Sequence, residues 1–283
     1  MNITQLYRKE TKKILVISLA FFSLPIAAQT TYEQLSAQAL QYAEEDRLEQ
    51  AEELYRQVLK LEPANPHNAL IFSNIGTLQR RMQRLSEAVE SYTYALNIAP
   101  YSVPILLNRA TVYMEQALPD RAYIDYCQVL DIDKKNAEAL LMRAYIYTIR
   151  RDYQAARIDY NRLLEIDSQH YSARLGLATL NQKEDKFRES LEILEKLIGE
   201  YPMEAELYTT RAEVEHDMNL PDLALTDLDQ AIYLNPLSAD AFILRGKINL
   251  ARNKKKLARK DFERAGSLGV PQPELRELLR QCR

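Results

Sequence analysis

The stretch Ala137 to His170, AEALLMRAYIYTIRRDYQAARIDYNRLLEIDSQH, carries two helical periodicities separated by a turn. Leu140, Ala144 and Tyr147 recur at i, i+4, i+7, and Ala156, Tyr160, Leu163 and Leu164 form a matching stripe on the second segment. The polar pair Arg151-Asp152 lies between them, and small Ala144 and Ala156 fall where the two backbones must approach closely. A single hairpin of this kind cannot bury its own apolar faces. The pattern therefore predicts neighbours of the same design, repeated at a fixed period.

Such copies are present. The small residues Gly76, Ala110, Ala144, Ala178, Ala212 and Gly246 follow one another at intervals of 34 residues, and Ala39 precedes Gly76 by 37, which leaves room for extra residues around Pro66-His67-Asn68. The second helices agree independently. Ala51, Ala88, Ala122, Ala156, Ser190, Ala224 and Ala258 are followed four positions on by Tyr55, Tyr92, Tyr126, Tyr160, Leu194, Leu228 and Phe262. Pro63, Pro100, Pro202 and Pro236 close four of the hairpins at one phase, where proline cannot continue a helix.

A helix-turn-helix of this period, with small, small, aromatic and proline positions at these offsets, resembles the tetratricopeptide repeat family over Tyr32 to Gln272. The resemblance implies an all-α fold, a right-handed α-solenoid of seven repeats at about 32–65, 69–102, 103–136, 137–170, 171–204, 205–238 and 239–272. The chain departs from the family pattern in having no tryptophan, in Ser190 and Leu194 of the fifth repeat, and in Val270 where the last proline would stand. From Pro273, Leu275, Leu278 and Leu279 share one face of a short helix over 273–283, expected to cap the last repeat.

Composition is consistent with helices: 47% of the 283 residues are hydrophobic, and six glycines are too few for the loops of an α/β nucleotide-binding fold. The N-terminus is a separate matter. Arg8, Lys9, Lys12 and Lys13 precede an apolar run from Ile14 to Ile26, and Ala27-Ala28 follow, the layout of a secretory signal peptide over residues 1–28. The expectation is an exported protein, periplasmic or secreted, with cleavage near Ala28; retention of the segment as an anchor stays open. In a repeat array Cys127 and Cys282 would lie several helices apart, so two free thiols are expected. Without residues 1–28 the net charge is −6, which disfavours nucleic acid as a partner. Residues 251–283 nevertheless carry +6, around the run Lys254-Lys255-Lys256. That run is either a solvated turn or a contact for anionic membrane lipid or an acidic partner.

A second periodicity concerns charge. Arg109, Arg143, Arg211 and Arg245 precede the small residue of the first helix in repeats 3, 4, 6 and 7, and Asp125, Asp159, Asp227 and Asp261 stand in the second helix of the same repeats. Repeats 1, 2 and 5 lack both members. The co-occurrence predicts an Arg–Asp pair inside each of the four hairpins, since an arginine fork and a carboxylate satisfy each other when partly buried. The competing reading, a row of arginines for an acidic ligand, is weakened by the carboxylate available to each.

No phosphate-cradling glycine loop and no HExxH, CxxC or GxSxG motif occurs. His67, His170 and His216 are scattered; Glu213 and His216 share a face at i, i+3, but a metal site needs three or four ligands. No enzyme activity, metal or cofactor is expected. A stacked helical array offers instead a concave surface. The resemblance implies that first helices line it, presenting Ser73, Thr77, Arg80 and Arg81; Leu107, Thr111, Met114 and Glu115; Leu141, Tyr145, Thr148 and Ile149; Leu175, Thr179, Gln182 and Lys183; then acidic Glu206, Glu213 and Asp217. Leu107, Met114, Leu141, Tyr145, Ile149 and Leu175 are expected to form an exposed apolar patch there, unless curvature packs some of them on the neighbouring first helix. A clamp for peptide C-termini is not expected, because repeat 1 has Ser36 and Leu40 where Lys and Asn are required. The expected function is a non-enzymatic protein- or peptide-binding scaffold or adaptor of the cell envelope. Alternatives are a self-associating structural subunit, or an accessory subunit presenting substrates to an envelope enzyme or assembly machine.

Overall fold

The computed structural model describes residues 26–283, so the expected signal peptide lies largely outside the described residues. The described residues form fifteen α-helices and no strand. They divide at Ile166/Asp167 into two compact units. The N-terminal unit holds four hairpins: α1 (Ile26–Glu44) with α2 (Leu48–Leu61), α3 (Asn68–Arg81) with α4 (Leu85–Ile98), α5 (Val103–Glu115) with α6 (Pro119–Ile132), and α7 (Ala137–Ile149) with α8 (Tyr153–Ile166). The C-terminal unit holds three, α9 (Tyr171–Lys183) with α10 (Phe187–Glu200), α11 (Ala205–Asp217) with α12 (Pro221–Leu234), α13 (Ala239–Ala251) with α14 (Lys255–Ser267), and ends in α15 (Gln272–Gln281). None of these helices is long and apolar enough to cross a membrane.

Within a hairpin the small residues do what their phase predicts. Ala110, Ala122, Ala144 and Ala156 are fully buried, and Tyr92, Tyr126 and Tyr160 lie under them with at most 1% exposure. In the last hairpin the approach is closer still. A methyl group added at Gly246 would stand 2.6 Å from the Phe262 ring, against 3.0 Å between Gly76 and Tyr92. α1 starts six residues before the repeat boundary expected at Tyr32, because no Gly or Pro interrupts the chain between Ile26 and Glu44. The additional residues after repeat 1 are held by Asn68, whose Nδ2 donates to the Glu62 and Pro63 carbonyls while its Oδ1 accepts from Tyr32 Oη.

Each of the seven hairpin turns contains one residue in the left-handed region: Asp46, Gln83, Ala117, Arg151, Asp185, Asn219 and Asn253, with φ between 56° and 61°. That residue lets the chain fold back onto the end of the first helix. Its own amide reaches the carbonyl three residues earlier, as from Ala117 to Met114, and the next amide reaches back five, as from Leu118 to Tyr113 at 2.8 Å. This doubly bonded helix stop usually carries glycine. In none of the seven hairpin turns is that residue a glycine, whereas Gly269 serves the same stop after α14.

Entry into three of the first helices, α7, α9 and α13, is fixed by side-chain caps. Asn136 Oδ1, His170 Nδ1 and Ser238 Oγ accept the amides of Ala139, Ala173 and Ala241, each satisfying an otherwise unpaired helix N–H. At the C-terminus, α15 buries Leu275 against Phe242 and Ala265, and Cys282 joins Ala258 and Phe262, so the last hairpin is covered. Cys127 and Cys282 are free thiols.

Candidate functional site

The four arginines belong to the hairpins. Arg109 donates through Nε and Nη2 to both oxygens of Asp125 at 2.9 and 2.7 Å, and Arg143–Asp159, Arg211–Asp227 and Arg245–Asp261 repeat the two-pronged geometry between 2.6 and 3.1 Å. Asp125 and Asp159 are only 1% exposed, so each relies on its arginine to replace the hydration lost on burial. Three of the arginines also use their remaining nitrogen. Nη1 of Arg109, Arg143 and Arg245 reaches Thr93 Oγ1, Cys127 Sγ and Asp229 Oδ1, each sixteen residues earlier on the second helix of the preceding hairpin. Every such arginine therefore ties its own hairpin to the one before it. Their donors point to second helices, not along the first-helix face.

Repeats 1 and 2 achieve a similar junction with different residues. Glu52 of α2 accepts from Arg56, Arg84 and Gln79, and Gln79 in turn accepts from Ser91 of α4. Burial pushes the Glu52 carboxyl up, but these donors hold it below the ordinary carboxylate range.

On the first-helix face of the N-terminal unit, Arg80 of α3 meets Glu115 of α5, and Arg81 bonds Asp46 and the Ala43 carbonyl. Thr111 and Thr148 donate to the carbonyls of Leu107 and Ala144 one turn back; Thr111, expected on the open face, is buried at 4% exposure, and Thr148 is half-buried. Of the large apolar side chains expected in an open patch, Ile149 is 48% exposed, Leu107 and Tyr145 are half-buried, and Met114 and Leu141 are buried at 2% and 5%. The patch is thus narrower than the sequence pattern predicts. A long side chain on a first helix can lie across the neighbouring first helix, about 8–10 Å away, instead of standing in solvent.

Leu175 shows this packing directly in the C-terminal unit. It is 2% exposed and clusters with Leu207 and Val214 of α11, so it is a core residue. Thr179 of α9 is half-buried, its hydroxyl bonded to the Leu175 carbonyl. Beyond it the face turns acidic with Glu206, Glu213 and Asp217 on α11 and Asp240 on α13. Gln182 of α9 donates to Asp217 at 2.7 Å. Burial, with Asp240 and Asp217 adding to it, raises the Glu213 carboxyl above its ordinary range, and Lys183 opposes the shift.

Glu215, two positions after Glu213 on α11, has Asp227 of α12 and Glu195 of α10 as its charged neighbours instead. It is 8% exposed, one of its oxygens has no hydrogen-bond partner, and its pKa is pushed up to about 7 by burial first and then by Asp227. Sequence reading gave no sign of this buried acid, because Asn181 and Asn249 occupy its place in the neighbouring repeats. No group of three or more His, Cys, Asp or Glu with metal-binding geometry occurs among the described residues.

Tetratricopeptide repeat models match residues 36–103, 137–170 and 209–267. A solved tetratricopeptide repeat protein from Parabacteroides merdae is 34% identical, with the alignment covering 89% of this chain and 99% of that one at a TM-score of 0.81. PilW, a type IV pilus biogenesis factor, is 19% identical over 75% of this chain and 96% of its own, with a TM-score of 0.63. A chain of the Cut9–Hcn1 hetero-tetramer is 12% identical over 91% of this chain and 57% of its own, with a TM-score of 0.64. At those two identities the likeness is one of fold alone. No curated protein matches this chain. With the family models spread along the chain and a near-complete alignment at 34% identity, this all-helical protein belongs to the tetratricopeptide repeat family.

Proposed function

We propose that this protein is a non-enzymatic scaffold of the cell envelope that binds a protein or peptide segment on the first-helix face of its N-terminal unit. The observation that supports the reading is the exposure of Ile149 and the half-burial of Tyr145 and Leu107, residues that the repeat phase assigns to the same first-helix face as Arg80 and Arg81. Apolar side chains gathered among polar ones on a surface favour a partner, and aromatic anchors with arginines near them supply most binding energy in such contacts. The support under them is rigid, since Arg143 and Asp159 fix α7 against α8. Export rests on the basic, apolar and small-residue order of residues 1–28.

The test is capture of partners from envelope extract by the wild-type chain and by a chain carrying Tyr145→Glu and Ile149→Glu. Loss of partners from the variant is the expected result. Equal capture by both chains overturns the reading.

Self-association is a second reading, favoured by an exposed row on the second helices of the same unit. Tyr94 and Ile98 on α4, Ile124 and Ile132 on α6, and Ile158 and Ile166 on α8 are all more than 40% exposed. Light scattering across a concentration series separates the two, with Ile124→Glu and Ile158→Glu abolishing any dimer. Lys254, Lys255 and Lys256 offer an electrostatic contact for anionic lipid or an acidic partner. Neutralising the three should then reduce the salt dependence of binding.

A further inference from the structure

The first-helix face of the C-terminal unit has a chemistry opposite to that of a peptide-carboxylate receptor. Glu206, Glu213 and Asp217 fall at i, i+7 and i+11 on α11, one side of the helix, and Asp240 of α13 is near enough for its charge to act on Glu213. Like charges at i, i+4, as in Glu213 and Asp217, weaken a helix. Lys183 offsets part of this charge.

Gln182 adds an independent observation. It is 5% exposed, and its Nε2 donates to Asp217 while its buried Oε1 has no hydrogen-bond partner. A buried acceptor left without a donor is destabilising. Nε2 and Oε1 belong to one amide group, so the unpaired oxygen lies within about 5 Å of the Asp217 carboxylate that Nε2 bonds. The face thus combines negative charge with an acceptor that lacks a donor, and a cation rich in N–H groups satisfies both.

We propose that this face binds a basic peptide segment, with an arginine or lysine side chain seated at Glu213 and Asp217 and donating to Gln182 Oε1. Arginine fits better, since its planar fork can serve a carboxylate and a carbonyl together. The proposal rests on the reading of this chain as a peptide-binding scaffold, and adds a second face together with the charge of its ligand. Packed helices lie roughly 8–10 Å apart, so α9, α11 and α13 span about 20 Å, which about six extended residues cross.

The probe is a fluorescein-labelled peptide of about eight residues alternating Arg and Ala, a length set by that span, with counterparts carrying Gln or Glu in place of Arg. Fluorescence anisotropy with the full chain should show binding of the Arg peptide only. Glu213→Gln with Asp217→Asn should weaken it about tenfold, and Gln182→Leu several-fold. The carbonyl oxygen retained in Asp217→Asn still accepts from Gln182 Nε2, so the fold is kept. If thermal unfolding by circular dichroism nevertheless shows early melting, Gln182→Leu alone carries the test. Glu49→Gln with Glu53→Gln, exposed acids on α2, should leave binding unchanged and so separates a site from overall negative charge. Equal binding of the Gln peptide, or equal weakening by the α2 pair, overturns the proposal. Tyr145→Glu with Ile149→Glu should spare the Arg peptide, so failure at the N-terminal face and failure here are distinguishable.

Discussion

Replacing Glu215 with Gln should stabilise the protein at neutral and alkaline pH and have no effect in mild acid. The carboxyl faces Asp227 of α12, Glu195 of α10 and Arg211 one turn earlier on α11, and its pKa rises from 4.5 to about 7. A group held higher in the folded state binds its proton more tightly there than in the unfolded chain. Folding therefore loses stability as pH rises from about 4.5 to about 7, and the penalty stays constant above that window. Each pKa unit corresponds to about 1.4 kcal/mol, so the ionised carboxylate costs on the order of 3 kcal/mol at pH 8. Urea unfolding followed by circular dichroism at several pH values, for wild type and Glu215→Gln, measures it. Contributions from groups remote from Glu215 cancel between the two chains, so the difference reports Glu215 and its immediate neighbours. The expected difference is near zero at the acid end and grows to about 3 kcal/mol at pH 8. A difference independent of pH, or one that shrinks as pH rises, refutes the reasoning.

Three further outcomes follow from the hairpins. Arg143→Met strands Asp159, which is 1% exposed, and should cost about 3–5 kcal/mol in urea unfolding, whereas adding Asp159→Leu should recover much of that loss; strictly additive losses would deny the pairing. Gly246→Ala should lower stability by about 1–3 kcal/mol, because its methyl would stand 2.6 Å from the Phe262 ring, while Gly76→Ala, at 3.0 Å from Tyr92, should be nearly neutral in thermal unfolding. Ala117→Gly, at φ 56°, should stabilise by about 0.5 kcal/mol, and Asn253→Gly by less, since asparagine tolerates the left-handed region.

The repeats were legible because packing two helices closely demands a small residue at one phase, and Ala144 with its six counterparts keeps that phase through the chain. The Arg–Asp pairs were legible for a related reason. A buried charge requires its partner, so the two residue types appear and vanish together. The third donor of these arginines was not, since Thr93, Cys127 and Asp229 accept it with three different chemistries and leave no common letter. The turns were hidden as well. Gln83, Ala117 and Arg151 give no composition signal for a left-handed backbone that glycine usually marks. On the candidate face, periodicity placed Leu141, Met114 and Leu175 toward the first-helix side, but phase alone says nothing of how far a side chain leans onto the next helix. Burial there depends on packing between repeats, which no single repeat encodes.

The arginine that reaches sixteen residues in both directions has a consequence for how the stack comes apart. In a linear array, stability is a sum of each hairpin's own free energy and a coupling to its neighbour. Arg143 enters both quantities at once, through Asp159 within its hairpin and Cys127 in the one before. Substituting it should therefore change the statistics of opening as well as the midpoint. Amide exchange across the N-terminal unit, correlated from α5 to α8 in the wild type, should separate into one population for α5 and α6 and another for α7 and α8.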